Sequence, residues 1–275
     1  VLKGQMKKIN YKKIVSFVLW IFAISGLITS WSFAAKKQES VKINHVSIDI
    51  LNPSENEFIN EADVKTFFEE RNDKLIDNEV KNIDITSLEK ALNSNPAVEN
   101  ADISYDINGD MKISVKQRRP MVRVFNFNGE SYYIDSLSKL MPLSFKSTGR
   151  VLVANGYIFE PYARRYNYSV DQIAKNENFK AVSVLDDVYE ISKAIYSDSL
   201  LTNLIHQIYV TPDRNFILTP IVGQQSILLG PNEDLSIKLN KLKLFYTEGL
   251  NKTDSWNKYS TINLKFKNLV VCTKK

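Results

Sequence analysis

One cysteine, two histidines and nine glycines are few for 275 residues, and each scarcity removes a class of chemistry. With Cys272 alone, no intramolecular disulfide can form. Within "NLVVCTKK" it reads as a small apolar strand residue. His45 falls in an expected strand and His206 near an expected helix C-terminus, where a cation is favoured. Neither has the spaced His or Cys companions that a zinc site needs. The glycines include no G-x-G pair, which excludes a dinucleotide fingerprint and a P-loop, and no G-x-S-x-G elbow occurs. Asp186 and Asp187 are adjacent carboxylates, but they fall in the first turn of an expected helix, where acids are stabilised anyway. No enzyme, metal or cofactor is expected.

Acidic residues are missing from one end. Residues 1–35 carry Lys3, Lys7, Lys8, Lys12 and Lys13 and no acid, which accounts for the whole net charge of +5. The rest of the chain is balanced, so no excess exists to grip a phosphate backbone, and no nucleic-acid partner is expected. The basic balance is a topology signal. From Ile14 to Ala35 the chain runs 22 residues without a charge, roughly 33 Å of helix and enough to cross a ~30 Å hydrocarbon layer. Tyr11 and Trp31 stand near its ends, where amphipathic rings prefer the interface. A cleaved signal peptide competes with this reading, but its apolar region usually spans roughly 7 to 15 residues. The denser lysines precede the segment, so a cytoplasmic tail at 1–13, an inner-membrane anchor at 14–35, a linker at 36–40 and an exported remainder are expected.

After the anchor, "VKINHVSIDIL" alternates with a change of phase near Asn44 or His45, as at a bulge. A helix follows, with Asn60 as cap and Val64, Phe67 and Phe68 on one face. "ERNDKLIDNEVKNID" reads as loop. Thr86 and Glu89 form a capping-box pattern for a second helix carrying Leu88, Ala91 and Leu92, and Pro96 ends it. Then Ala101, Ile103, Tyr105 and Ile107 alternate against Met111, Ile113 and Val115. Asn108-Gly109 offers the positive φ angles of a two-residue turn. The order βααββ predicts a three-stranded sheet with both helices on one face.

Beyond Arg118-Arg119-Pro120, a solvated rigid boundary, strands are expected in "MVRVFNFNGESYYIDSLSKLMPLS" and "RVLVANGYI". A polar, loop-like insert follows at 157–180. A long amphipathic helix covers 184–206, then strands in "QIYVT", "NFILTPI" and "QSILLG". A helix at 234–249 buries Leu235, Leu239, Leu242 and Tyr246, with Lys238, Lys241 and Lys243 mostly pointing away. "STINLKF" and "NLVVCTK" close the pattern as strands.

The unit around "ALNSNPAVENADISYDINGDMKISVKQRRP" resembles a POTRA domain, a small module that handles polypeptides outside the inner membrane. With the "RPMVRVFNFNGESYYID" and "YSTINLKFKNLVVC" segments, the whole chain resembles the bacterial cell-division family FtsQ, called DivIB in some bacteria; the last segment is similar to the form seen in Bacteroidetes. Gln117 departs from the acid often found before Arg-x-Pro, and "DSLSKLMP" lacks the glycine that commonly follows Tyr-Ile-Asp. The resemblance implies an α+β protein: one transmembrane helix, a POTRA domain at 41–118, and a mixed α/β domain at 119–275 with a largely antiparallel sheet.

It also implies a scaffold that links members of the division machinery at the septum and binds FtsB-like (or DivIC-like) and FtsL-like proteins through its last strands. An edge strand with unpaired N–H and C=O groups is a template for another chain unless charge or proline masks it. Phe266, Leu269, Val270, Val271 and Cys272 are the expected partner-binding residues. An ordinary core strand is the competing reading of this segment. Two other classes compete for the whole chain. An outer-membrane polypeptide transporter would need many ~10-residue lipid-facing strands after residue 120. A membrane-anchored cell-wall hydrolase would need the catalytic groups that are missing.

Overall fold

The computed structural model describes residues 17, 19–29, 41–51, 57–144, 146–162, 169–175, 177, 183–253 and 255–275. Residues 19–29 are helical and exposed. They cover roughly 16 Å at 1.5 Å per residue, and among the described residues no helix is long and apolar enough to cross a membrane. Residues 14–16, 18 and 30–35 of the expected anchor, the tail at 1–13 and the linker at 36–40 lie outside the described residues.

The remainder forms two compact units. One draws on Glu61–Asn93, Ala101–Val115 and the described residues up to Asp49; the other on Ile50–Asn60, Ser94–Asn100 and Lys116–Lys275. The first part of the chain runs β1 (His45–Leu51), α1 (Glu61–Glu70), a 3-10 turn (Val80–Asn82), α2 (Ile85–Asn93), β2 (Val98–Tyr105) and β3 (Asp110–Gln117), with strands ordered β1-β3-β2. Val64 and Phe68 of α1 and Leu88 and Leu92 of α2 are buried, each worth about 1.5–3 kcal/mol on leaving water.

Local chemistry departs from the sequence reading in three places here. Asp84, not Thr86, caps α2 by accepting from the Ser87 N–H. Glu89 accepts instead from the Ile103 N–H of β2 at 2.9 Å, a tie to a strand 14 residues on that local spacing does not reveal. The phase change near Asn44 is a change of partner. Lys42 bridges Glu79 and the Ile43 N–H reaches Asn78, then the Asn44 N–H turns to Gly109. Finally, the hairpin loop is not a two-residue turn. Only Gly109 has positive φ, at 89°, and Ile107 has left the strand, 80% exposed. The Asp106 carboxylate accepts from the Asn108 and Asp110 N–H groups, which favours a longer loop.

That loop recurs. In 106–110, 126–130, 135–139 and 211–215 the first residue's side chain (Asp106, Asn126, Asp135, Thr211) accepts from the fifth residue's N–H at 2.8–2.9 Å. The fourth residue is left-handed: Gly109, Gly129, Ser138 and Arg214. Ser138 takes that conformation at φ 61° without the glycine that removes its steric cost.

The second unit holds a nine-stranded sheet ordered β12-β11-β10-β9-β8-β7-β4-β5-β6. Its strands are β4 (Pro120–Phe125), β5 (Ser131–Asp135), β6 (Leu140–Met141), β7 (Leu152–Gly156), β8 (Ile205–Val210), β9 (Phe216–Pro220), β10 (Ser226–Gly230), β11 (Tyr259–Asn263) and β12 (Val271–Lys274). Five pairings are antiparallel; β4–β7, β7–β8 and β10–β11 are parallel. Parallel neighbours need crossovers. They come from α3 (Val170–Ala174), α4 (Leu185–Tyr196) and α5 (Ser199–Leu204) between β7 and β8. Between β10 and β11 they come from α6 (Leu235–Leu244), a π turn (Phe245–Leu250) and α7 (Asn251–Thr253).

The helix expected at 184–206 is therefore two, because Asp198 accepts from the Leu200 and Leu201 N–H groups and caps a new start. Lys243 binds the Asp198 carboxylate and holds its pKa below the usual range. The α6 lysines do not point away. Lys238 is buried and donates to the Pro231 carbonyl at 2.7 Å, with burial lowering its pKa. The insert at 157–180 is mostly exposed where described but is pinned at a few points: Ile158 and Val170 are fully buried, and the Glu160 carboxylate accepts from the Val184 N–H.

Candidate functional site

A sheet edge is a row of peptide N–H and C=O groups with partners on one side only. The nine-stranded sheet has two such edges, and they differ. At one, β6 is only two residues long and pairs with the end of β5, Tyr133 with Met141 and Ile134 with Leu140. Phe58, Tyr133 and Met141 form a small buried cluster beside it. Gln117, read in the sequence as a departure, is buried and accepts from the Phe58 and Ile59 N–H groups. Of the expected solvated pair, Arg119 is exposed but Arg118 is largely covered. Its Nε donates to the Val98 carbonyl at 3.0 Å and its Nη1 lies 3.7 Å from the buried Asp135 carboxylate. Burial raises the Asp135 pKa; the Lys139 N–H and the Arg118 charge oppose it.

At the other edge, β12 pairs antiparallel with β11 and, among the described residues, with no other strand, Cys272 opposite Ile262 and Val271 opposite Asn263. Its attachment is mostly at the surface. The Thr261 hydroxyl donates to Thr273 at 2.8 Å and Ser260 to the Thr273 carbonyl. Val270 and Cys272 pack partly against the core, while Phe266, Leu269 and Val271 are 49%, 53% and 42% exposed. The five expected residues thus separate. Val271 and Cys272 lie in the strand, Val270 just before it, and Phe266 and Leu269 in the connecting turn. Burial pushes the Cys272 thiol pKa up, so the neutral thiol, a poor nucleophile, prevails at neutral pH.

The reading of the sequence missed the residue that positions this turn. Lys241 of α6 donates to the Leu264 and Phe266 carbonyls, fixing the chain between β11 and β12. Its signal was a place between Leu239 and Leu242, where a long aliphatic stem lies along apolar surface. Elsewhere Asp187 and Glu190 both accept from the Asn232 amide, which accounts for two of the three acids of that helix; the third, Asp186, is buried. Among the described residues no group of three or more His, Cys, Asp and Glu side chains could hold a metal ion. What the β12 edge offers is backbone pairing: a free strand edge with exposed apolar side chains on it and beside it.

Comparison with known proteins adds two findings. Residues 119–273, more than half of the chain, match the family described as FtsQ/DivIB, C-terminal related. Residues 42–116 match the POTRA-like domain. No curated protein matches the chain.

Proposed function

The chain belongs to the FtsQ/DivIB, C-terminal related family, and from that premise we propose that it is a non-enzymatic scaffold of the bacterial division machinery. It is held in the inner membrane by residues 14–35, with its POTRA-like and C-terminal domains on the periplasmic side. FtsB-like or DivIC-like and FtsL-like proteins add a strand to β12, with backbone bonds supplying affinity and alternate side chains supplying selectivity. The observation that carries this reading is the position of β12, an edge strand without proline whose lysines come only at its end, with Val271 exposed and Phe266 and Leu269 beside it.

The test is co-purification of the full chain with the host's two partner proteins. The parent is expected to retain both. A chain ending at Asn268 is expected to lose them by at least about tenfold, equivalent to ~1.4 kcal/mol, while its far-UV circular dichroism and melting stay close to the parent's. Equal retention by both chains places the contact elsewhere. Failure of the parent to retain either partner removes the scaffold reading.

A further inference from the structure

Residues 255–275 contain five lysines (Lys258, Lys265, Lys267, Lys274 and Lys275) and no Asp or Glu. All five are exposed. They flank the open edge: Lys274 lies in β12 and Lys275 follows it, Lys267 precedes it in the connecting turn, and Lys258 and Lys265 bracket β11. The Thr211 hydroxyl, with a lesser share from the Lys265 charge, holds the Asp213 carboxyl below its usual range, and Lys275 donates to Gln224 at 3.0 Å. None of the five forms an ion pair with an acidic side chain among the described residues. At the sheet's other edge the basic groups are sparser: residues 136–159, also without Asp or Glu, hold only Lys139, Lys146 and Arg150.

Resting on the strand-addition reading, we infer that this lysine cluster selects the strand that β12 accepts: it admits a segment flanked by acidic residues and rejects a second copy of this chain. An exposed edge of Val271, Cys272 and Thr273 is by itself self-complementary, since two copies can pair about a two-fold axis. Such a pair brings the same lysines of both copies to one seam, where like charges oppose association. An incoming strand with Glu or Asp at its ends meets opposite charge at the rim, which speeds encounter and fixes register. The backbone edge supplies the attachment and the lysines supply the discrimination.

The test uses the full chain and three synthetic strand peptides with one alternating Val-Thr core and Glu, Gln or Lys flanks. Fluorescence anisotropy is expected to rank them Glu, then Gln about tenfold weaker, then Lys undetectable, as several rim pairs of a few tenths to 1 kcal/mol each would give. The Glu preference is expected to vanish near 1 M salt, where screening reaches about 3 Å. Lys267→Gln with Lys274→Gln should reduce the Glu-to-Gln preference towards one and make the chain self-associate in sedimentation velocity. Equal binding of the Glu and Gln peptides, both lost when the chain ends at Asn268, leaves strand addition standing and overturns charge selection. A neutralised chain that stays unassociated overturns the rejection of a second copy. Peptide binding that survives the truncation, or no peptide binding at all, overturns strand addition at this edge and the inference with it.

Discussion

The two edges of the nine-stranded sheet solve the same problem in opposite ways. At β6 the edge is shortened to two residues and backed by buried groups. The loop that leads into it, 135–139, is tied on all sides. The Ser136 N–H donates to the Arg119 carbonyl, Tyr189 donates to the Ser136 carbonyl, and the Val170 N–H donates to the Ser138 carbonyl. At β12 three of the four residues are exposed and Cys272 is partly buried, the strand being held by one neighbour and a few surface hydroxyls. Closure comes from long-range packing, whereas openness needs only its absence plus charge at the rim. The lesson is that a sheet can spend its buried polar groups on one end and keep the other available.

The sharpest way to break this comparison is Arg118→Ala. It leaves Asp135 buried without its charge partner, and about 3 kcal/mol of stability should go, as for other broken buried pairs; urea unfolding measures it. A loss under about 1 kcal/mol would mean that the β6 edge is not held by this pair. Ser138→Gly should act the other way. It relieves a left-handed serine and removes a buried hydroxyl without a hydrogen-bond partner, so a gain of about 1 kcal/mol is expected.

A smaller change comes from pH. Burial raises the folded-state pKa of Asp135 above its unfolded value near 3.8, so the folded state binds this proton more readily. The resulting cost is present at neutral pH and is relieved as pH falls through the raised pKa, complete below 3.8. The parent should therefore gain on an Asp135→Asn chain as pH falls from 7 towards 4; a flat difference would contradict the burial argument. Least of all, Val271→Ser should move stability by under about 0.5 kcal/mol, as exposed sites do. A larger loss would show that β12 is part of the core after all.

Much of this architecture was legible because period and burial coincide. The alternation through Ala101, Ile103, Met111, Ile113 and Val115, and the stripe at Leu239, Leu242 and Tyr246, are local patterns that packing confirms. What escaped were side chains whose partners lie far along the chain. Gln117 and Arg118 looked like boundary residues, yet they meet Phe58, Ile59 and Val98. The five-residue loops at 106–110 and 126–130 escaped because Asn-Gly suggests a two-residue turn; those at 135–139 and 211–215 have no glycine to announce them, and in all four the bond from the first side chain to the fifth N–H defines the loop. That "NLVVCTK" forms a strand was readable from its composition. That it lies at an edge was not, since strand order depends on which elements pair, and the family resemblance supplied that expectation.

The antiparallel match of β12 with β11 also has a mechanical side. A tether attached alongside β12 and pulled parallel to the strand loads the β11–β12 backbone bonds together, in shear. The same pull directed across the sheet would open them one after another, like a zipper. The Lys241 ammonium, gripping the carbonyls of Leu264 and Phe266 between those strands, ties their connection to the helical layer. A protein joined to others through this edge is strongest when they pull along it.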